Sequence, residues 1–438
     1  MKILLVWPVY YSLFHAYNPK GIYYNIFSRF VNNRTPLTFN ILKALTPKKH
    51  TVDFIAGNLQ NIDFDKHYDL IGITCITELS PLAYNISDEF RKRGKKVVLG
   101  GWHPSALPEE AIQHADSVVI GEAEETWPVL LNDLENNKLK PFYIQKRPVP
   151  PSLIPEQENI FSKNKVFSIQ ATRGCPYGCR YCSMTNMKFR KKFRLRSIND
   201  VIKEIQINTG KLFMFEDNSL TIIPKYTKDL FCELKDLNKK FYAYGNLDTL
   251  GKDDELLKLA SDAGCIGWLI GFESLCQDSL DSVGKRTNKV VDYYKSVKKI
   301  HDYGMIVEAS FMFGFDYDTK QVFIDTEDFV RKSEIDIPYP VILAPYPGTP
   351  MYDKLSKENR ILTRDWYRYS GGDVVFQPKL MTPEELYENT MTLELKWHQK
   401  LNSTSRMIKG LKYGIYPFFE ISRIELQRFF SYTFKSSL

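Results

Sequence analysis

Apolar residues fall into two rhythms along this chain. Short, nearly continuous hydrophobic runs at residues 2–7, 51–55, 69–74, 96–99 and 117–120 read as buried strands. Between them, residues 36–45, 79–92, 108–114 and 124–134 carry apolar positions at helical spacing. Such alternation over residues 1–137 predicts an α/β domain with a doubly wound parallel sheet, whose ligands lie beyond the carboxyl ends of its strands. Those ends are Trp7-Pro8, Ala56-Gly57, Thr74-Cys75, Gly100-Gly101-Trp102-His103 and Gly121-Glu122. Residues 138–164 are rich in proline and charge and lack periodicity, which predicts an extended linker. Strand-like runs return at 166–171, 212–215, 241–246, 266–271, 305–313 and 338–343, separated by helical stretches such as 198–208 and 255–263. Residues 351–438 read as a helical extension.

One loop organises this pattern. Directly after the run at 166–171, Cys175, Cys179 and Cys182 follow one another with three and two residues between them, so their sulfurs can converge on one iron–sulfur cube and leave one iron open. Gly174, Pro176 and Gly178 let the backbone wrap closely, and Tyr181 gives an aromatic wall. The alternatives are a zinc site, which needs a fourth ligand that no nearby Cys or His supplies, and three unrelated buried thiols. The spacing, with an aromatic before the third cysteine, resembles the radical S-adenosylmethionine (SAM) superfamily. That resemblance implies a 4Fe–4S cluster on the three cysteines and SAM bound to the open iron. An electron from a flavodoxin or ferredoxin would then cleave SAM to a deoxyadenosyl radical that takes hydrogen from an unreactive carbon. The six strand-and-helix repeats over residues 165–350 fit the partial (β/α)6 TIM-type barrel of that superfamily.

The run from Val97 to Pro104, followed by Gly121-Glu122-Ala123-Glu124, resembles the Rossmann-like cobalamin-binding domain that precedes many radical SAM domains, as in Mg-protoporphyrin ester cyclases and class B methyltransferases. It implies cobalamin contacts from Trp7, Pro8, Thr74, Cys75, Gly100, Gly101, Trp102, His103, Gly121 and Glu122. The Asp-x-His-x-x-Gly motif that supplies a lower cobalt ligand in one subclass does not follow Trp7. Asp65-Lys66-His67 lacks the glycine and reads as a surface turn, and His15 and His103 read as ordinary polar residues. Either cobalamin binds without a protein imidazole or the domain has lost it; the strand-end glycines favour binding.

The second set of strand ends extends the likeness. Glu216, Asp217 and Asn218 offer acceptor oxygens to the SAM ammonium. Gly271-Phe272-Glu273-Ser274 resembles the family's Gly-x-x-Glu-Ser turn, which implies ribose or methionine contacts from Glu273 and Ser274. Glu308, Ser310 and Met312 share one strand face, which places Glu308 inside the barrel as a catalytic candidate and Ser310 near the cofactor. Pro345-Tyr346-Pro347-Gly348-Thr349 resembles the segment that lines the active site in cobalamin-dependent relatives, which marks Tyr346 as a second catalytic candidate.

Composition narrows the setting. With 438 residues, 43% hydrophobic and 25% charged, the chain has room for two or three folded domains, and seven cysteines without a pairing pattern predict a reducing, cytoplasmic location. No run reaches the length of a membrane span, and a dispersed net charge of +7 does not point to nucleic acid. Two segments concentrate cations. Residues 188–196 read either as a solvated face or as a docking surface for the acidic electron donor or an anionic substrate. On a helix near the carboxyl terminus, Glu420, Arg423, Gln427, Ser431 and Lys435 form a polar stripe away from Phe418, Phe419, Leu426, Phe429 and Phe430. That helix either packs on the barrel or rests at a membrane, which would suit a lipid-like substrate. The expected activity is cobalamin-dependent radical methyl transfer to carbon. Cyclisation, oxidation or carbon–carbon coupling is the alternative, and a non-catalytic cobalamin or cluster sensor is another. Cys75 alone in the first domain leaves no second cluster of the methylthiotransferase kind.

Overall fold

The computed structural model describes residues 1–10, 37–157 and 166–435. His15 and the predicted helix start at Pro36 lie outside them. In the first domain, β1 (Lys2–Pro8), β2 (Thr51–Gly57), β3 (Leu70–Thr74), β4 (Lys96–Gly100), β5 (Ser117–Ile120) and β6 (Phe142–Ile144) form one sheet in the order β2, β1, β3, β4, β5, β6. Every pairing is parallel. Such sheets bury both faces, which explains the unbroken apolar runs. Leu70 through Thr74 are all buried, and α1 (Leu37–Leu45), α2 (Ser80–Lys92) and α3 (Thr126–Glu135) flank the sheet. The stretch 108–114 is a short helix, Pro108–Ala111, followed by a tighter turn at Ile112–His114.

The stretch expected as a linker is partly sheet. Phe142, Tyr143 and Ile144 pair with Val118, Val119 and Ile120, and buried Tyr143 donates a 2.9 Å hydrogen bond to Asp133. Three residues between prolines are too few to show a period, so only the neighbouring strand reveals them.

The second domain curls around β7 (Val166–Ile169), β10 (Leu212–Phe215), β11 (Lys240–Tyr244), β12 (Cys265–Glu273), β13 (Ile306–Phe313) and β14 (Ile337–Ile342), parallel and in sequence order. A two-stranded antiparallel ribbon, β8 (Thr172–Arg173) with β9 (Arg194–Leu195), frames the cysteine loop. Along β13, Val307, Ala309, Phe311 and Phe313 are buried, whereas Glu308, Ser310 and Met312 on the other face are half-buried. The open interior of a partial barrel produces this alternation.

Near the carboxyl terminus, α4 (Pro383–Trp397), α5 (Lys400–Gly410) and α6 (Ile415–Lys435) follow. A capping box at Thr382 and Glu385 starts the first of them. Ile421 and Ile424 of α6 are buried against Ile306 and Ile337, the first residues of β13 and β14. The end of the barrel opposite the cysteine loop is therefore closed, with about 1.5–3 kcal/mol from each isoleucine.

Candidate active site between the two domains

The cysteine loop is held from several directions. Asp217, at the end of β10, accepts hydrogen bonds from the backbone N–H of Thr172 and Ala171 and, at 2.5 Å, from the Thr172 hydroxyl. It is buried, and burial pushes its carboxyl up to about 6 against those bonds. Asp217 thus ties down the loop and is not an open acceptor for the SAM ammonium. Cys175 N–H donates to the Arg190 carbonyl at 2.9 Å, and Arg180 N–H to the Val283 carbonyl at 2.9 Å. Gly174 has φ +84°, and a Cβ there would lie 2.5 Å from the Lys192 carbonyl oxygen, so only glycine fits.

Cys175 and Cys179 are buried and Cys182 is half-buried. Burial pushes the Cys175 thiol up and Cys179 to about 11, while the Lys285 ammonium works against this. Thiolates in so dry a place need a positive partner, which bound iron supplies, so the donor set fits a cluster. Among the described residues no three His, Cys, Asp or Glu side chains form a site for a single metal ion. Beside the thiols, Glu273 adopts a left-handed φ of +65° and accepts hydrogen bonds from Tyr181 at 3.0 Å and Lys285 at 2.9 Å. Sequence reasoning missed Lys285; a lone lysine after a helix carries no local signal.

The other predicted contacts divide. Ser274 is buried, donating to Asp318 at 3.3 Å and accepting from the Cys276 N–H, so it builds the turn. Asn218 keeps a buried, unpartnered amide nitrogen, available to an acceptor. Ser310 pairs in register with Gly271. Half-buried Tyr346 accepts a 2.6 Å bond at its carbonyl from Thr349, and burial plus the nearby Glu78 raise its phenol. Met351 N–H donates to the Arg180 carbonyl at 3.0 Å, which fastens this segment to the cysteine loop.

Glu308 does point into the barrel, but at the wrong end for chemistry. It lies five residues before the end of β13, about 17 Å by strand rise, opposite Ile337. Burial and the nearby Glu420 push it up to about 7, against a hydrogen bond from Tyr339 and the charges of Arg423 and Arg428. Glu420 and Arg423 of α6 thus turn toward the barrel, as packing on the barrel requires and against the alternative that points this stripe at membrane headgroups; the side chains of Gln427, Phe429, Phe430, Ser431 and Lys435 lie outside the described set.

A cavity of about 430 Å³ separates the two domains. Trp7, Thr74, Cys75, Gly100, Gly101, Trp102, Gly121 and Glu122 line it from the first sheet, and Gln170, Arg173, Met184, Met187, Arg190 and Glu216 from the cysteine-loop side. Glu216, held by Ser168 at 2.8 Å, therefore faces this cavity. Pro8 and His103 do not line it. His103 is fully buried, with Nε2 3.0 Å from Glu110, whose carboxylate also accepts from Trp366 of the second domain. A Cβ on Gly101 would lie 2.6 Å from the Cys75 carbonyl oxygen and one on Gly121 2.4 Å from Gln145, so the surrounding protein already requires these glycines. The strand-end floor, apolar walls such as Phe39 and Trp127, and a roof from the cysteine loop fit a large planar cofactor.

Glu122 lines the cavity with its carboxylate already engaged by the protein. Arg194 reaches it with two hydrogen bonds, 2.6 and 2.8 Å, Gln145 with one of 3.1 Å, and Arg190 lies 3.7 Å away. Burial opposes ionisation, yet these cations hold its carboxyl down to about 2. Arg173 pairs with Glu124 at 2.5 Å, and Arg196 with Glu204 at 2.6 Å. The basic run at 188–196 is thus split: Arg190, Arg194 and Arg196 turn inward, and Lys188, Lys191 and Lys192 stay exposed.

Comparison with known proteins agrees with this architecture. Residues 169–330 match the Radical SAM superfamily and residues 28–131 the B12 binding domain. Bacteriochlorophyllide d C-12(1)-methyltransferase of Chlorobaculum tepidum is 32% identical over 376 residues, covering 82% of this chain and 81% of that protein. The C-8(2)-methyltransferase of the same organism is 33% identical, covering 80% and 83%. In fold, the chain resembles the radical SAM methyltransferase TsrM of Kitasatospora setae, solved with cobalamin and a 4Fe–4S cluster, at a TM-score of 0.69 and 14% identity over the full length of both.

Proposed function

Because the chain belongs to the cobalamin-dependent radical SAM methyltransferases, we propose that its substrate is a tetrapyrrole, methylated at a carbon that carries no activating group. The protein is an enzyme whose cofactors are a 4Fe–4S cluster, SAM and cobalamin. When bound, the cluster supplies the electron that cleaves SAM, and the corrinoid supplies the methyl group.

The observation that carries the reading is the shared cavity: residues just after the third cysteine, Met184 and Met187, face the strand ends of the first domain across it. Cys175, Cys179 and Cys182 would hold the cluster. The Asn218 amide and the Glu216 carboxylate are the groups toward which SAM's polar atoms would turn. Lys285, Glu273 and Tyr181 keep a linked, water-poor set of charges beside the thiols. Tyr346 would border the substrate. Both relatives named above act on a bacteriochlorophyllide, which supports the tetrapyrrole class. The exposed Lys188, Lys191 and Lys192 suit an acidic flavodoxin or ferredoxin. Among the described residues no helix is long and apolar enough to cross a membrane; a cytoplasmic enzyme in peripheral membrane contact through its carboxyl-terminal region fits.

Anaerobic incubation of the reconstituted protein with trideuteriomethyl SAM and bacteriochlorophyllide d tests this. The expected products are a deuteriomethylated chlorin, S-adenosylhomocysteine and 5′-deoxyadenosine. Ring closure without methyl gain, or no change in the pigment while deoxyadenosine forms, would reject the assignment. A sensor would form no deoxyadenosine.

A further inference from the structure

The carboxyl-terminal hairpin has two unlike sides. Helices α5 and α6 meet closely at Gly410, where a Cβ would lie 2.9 Å from Ile421 and 3.2 Å from the Phe418 backbone. On the barrel side, Ile421 and Ile424 are buried, and buried Glu425 accepts hydrogen bonds from Ser403 and Arg406. On the outer side, Ile408, Leu411, Ile415 and Phe419 are 62%, 54%, 54% and 46% exposed. All four fall within twelve residues that run through the turn at Leu411–Tyr413 and Gly414, so they cluster at the tip where the hairpin reverses. Single exposed hydrophobics need no explanation, but a contiguous set with cations at its edge marks an interaction surface.

Charge identifies the partner. Residues 400–419 contain Lys400, Arg406, Lys409 and Lys412 and no Asp or Glu. Arg406 is taken up by Glu425 and Lys409 reaches Glu334, whereas exposed Lys412 lies over the Tyr413 ring. Exposed apolar side chains beside Lys412 and Tyr413, where no helix of the described residues is long and apolar enough to span a bilayer, are the pattern of a segment that lies in the headgroup region. We propose that this tip, through Ile408, Leu411, Ile415 and Phe419, docks the enzyme on an anionic lipid bilayer, with Lys409 and Lys412 at headgroup level.

This rests on the peripheral-membrane part of the preceding reading and changes its geometry. Because α6 closes the barrel end opposite the cysteine loop, the docked enzyme turns its cofactor cavity away from the bilayer. Docking therefore tethers the enzyme and leaves the cysteine-loop face open to an electron donor.

The test is anaerobic co-sedimentation of the full reconstituted chain with vesicles of phosphatidylcholine alone or mixed with phosphatidylglycerol. Wild type should sediment with the anionic vesicles and lose binding as salt rises. Leu411→Asp combined with Ile415→Asp should weaken binding about tenfold or more, and Lys412→Glu by a smaller factor. Val291→Asp, which replaces a 90% exposed residue elsewhere, should bind like wild type. Thermal melting and deoxyadenosine formation report that each variant is folded. If the double variant binds like wild type, the tip is the wrong surface and the membrane reading survives. If wild type binds no vesicle, both fall while the methyltransferase assignment stands. If wild type is a dimer that the double variant splits, the surface belongs to a second copy and the proposal is overturned.

Discussion

A carboxylate meets arginines at each end of the barrel, Glu122 reaching one end from the first domain and Glu308 of β13 standing at the other, with opposite results. At the carboxyl end, Glu122 is gripped by Arg194 with Arg190 and Arg173 close by, and its carboxyl is held down to about 2. At the amino end, Glu308 shares its space with Glu420, and its carboxyl rises to about 7. Count and geometry of the partners decide the difference: Glu122 receives paired, directed donors, whereas Glu308 has a carboxylate neighbour that cancels much of what Arg423 and Arg428 provide. A perturbed acid inside a barrel is often a catalytic candidate. Here the end at which it sits overrules that inference, because the cysteine loop, the cavity and the open amide of Asn218 are all at the other end.

The sharpest way to break this comparison is at the cysteine loop. Cys175→Ala, Cys179→Ala or Cys182→Ala should abolish deoxyadenosine formation and lower iron content, whereas Cys232→Ala, at an exposed position, should change neither. A full iron load with normal SAM cleavage in Cys175→Ala would move the active end elsewhere.

Removing the grip on the first carboxylate should come next in size. Glu122→Gln leaves Arg194 buried without its charge partner and should cost about 3–5 kcal/mol in urea unfolding. Because the folded carboxyl sits below its ordinary value of 4.5, its contribution, about 3 kcal/mol at most, is present above pH 4.5 and lost as pH falls toward 2. Wild type should show that loss and Glu122→Gln should not.

At the other end the sign reverses. Glu308 is raised, so its stabilisation is present below pH 4.5 and lost as pH rises to 7. Glu308→Gln should be more stable than wild type at pH 8 by about 1 kcal/mol, a small value because the side chain is only half-buried, and should still cleave SAM. Loss of SAM cleavage in a folded Glu308→Gln would restore it as a catalytic residue.

The smallest effect is expected at His103. It is buried on Glu110 and does not line the cavity, so electron paramagnetic resonance of the reduced, corrinoid-loaded protein should show no protein-nitrogen splitting and should be unchanged in His103→Ala. Splitting that vanishes in the variant would bring the imidazole to the cobalt.

What could be read in advance followed the range of the forces involved. Strand and helix periods, the cysteine spacing and the glycine at Gly174 are local, set by neighbours a few residues away, and both sheets were legible from them. Three-residue β6 was not, since its pairing partner rather than its own pattern makes it a strand. Of the carboxylates at strand ends, Glu216 does face the cavity, whereas Asp217 and Glu122 take their donors from the protein itself. Asp217 finds its donors 45 residues away, Glu122 meets Arg194 72 residues on, and Glu110 reaches Trp366 across 256 residues.

By itself, then, the sequence determined which elements form, in what order, and that three thiols share one loop, because backbone sterics and hydrophobic period act along the chain. Tertiary structure decided which charged groups remain free for a ligand. A carboxylate at a strand end binds whichever donors folding brings to it first. Folding gave Asp217 to the cysteine loop, Glu122 to Arg194 and Glu308 to the closed end, and completed the cavity of the foreseen strand-end residues with Gln170, Met184, Met187 and Arg190, whose spacing along the chain announces nothing.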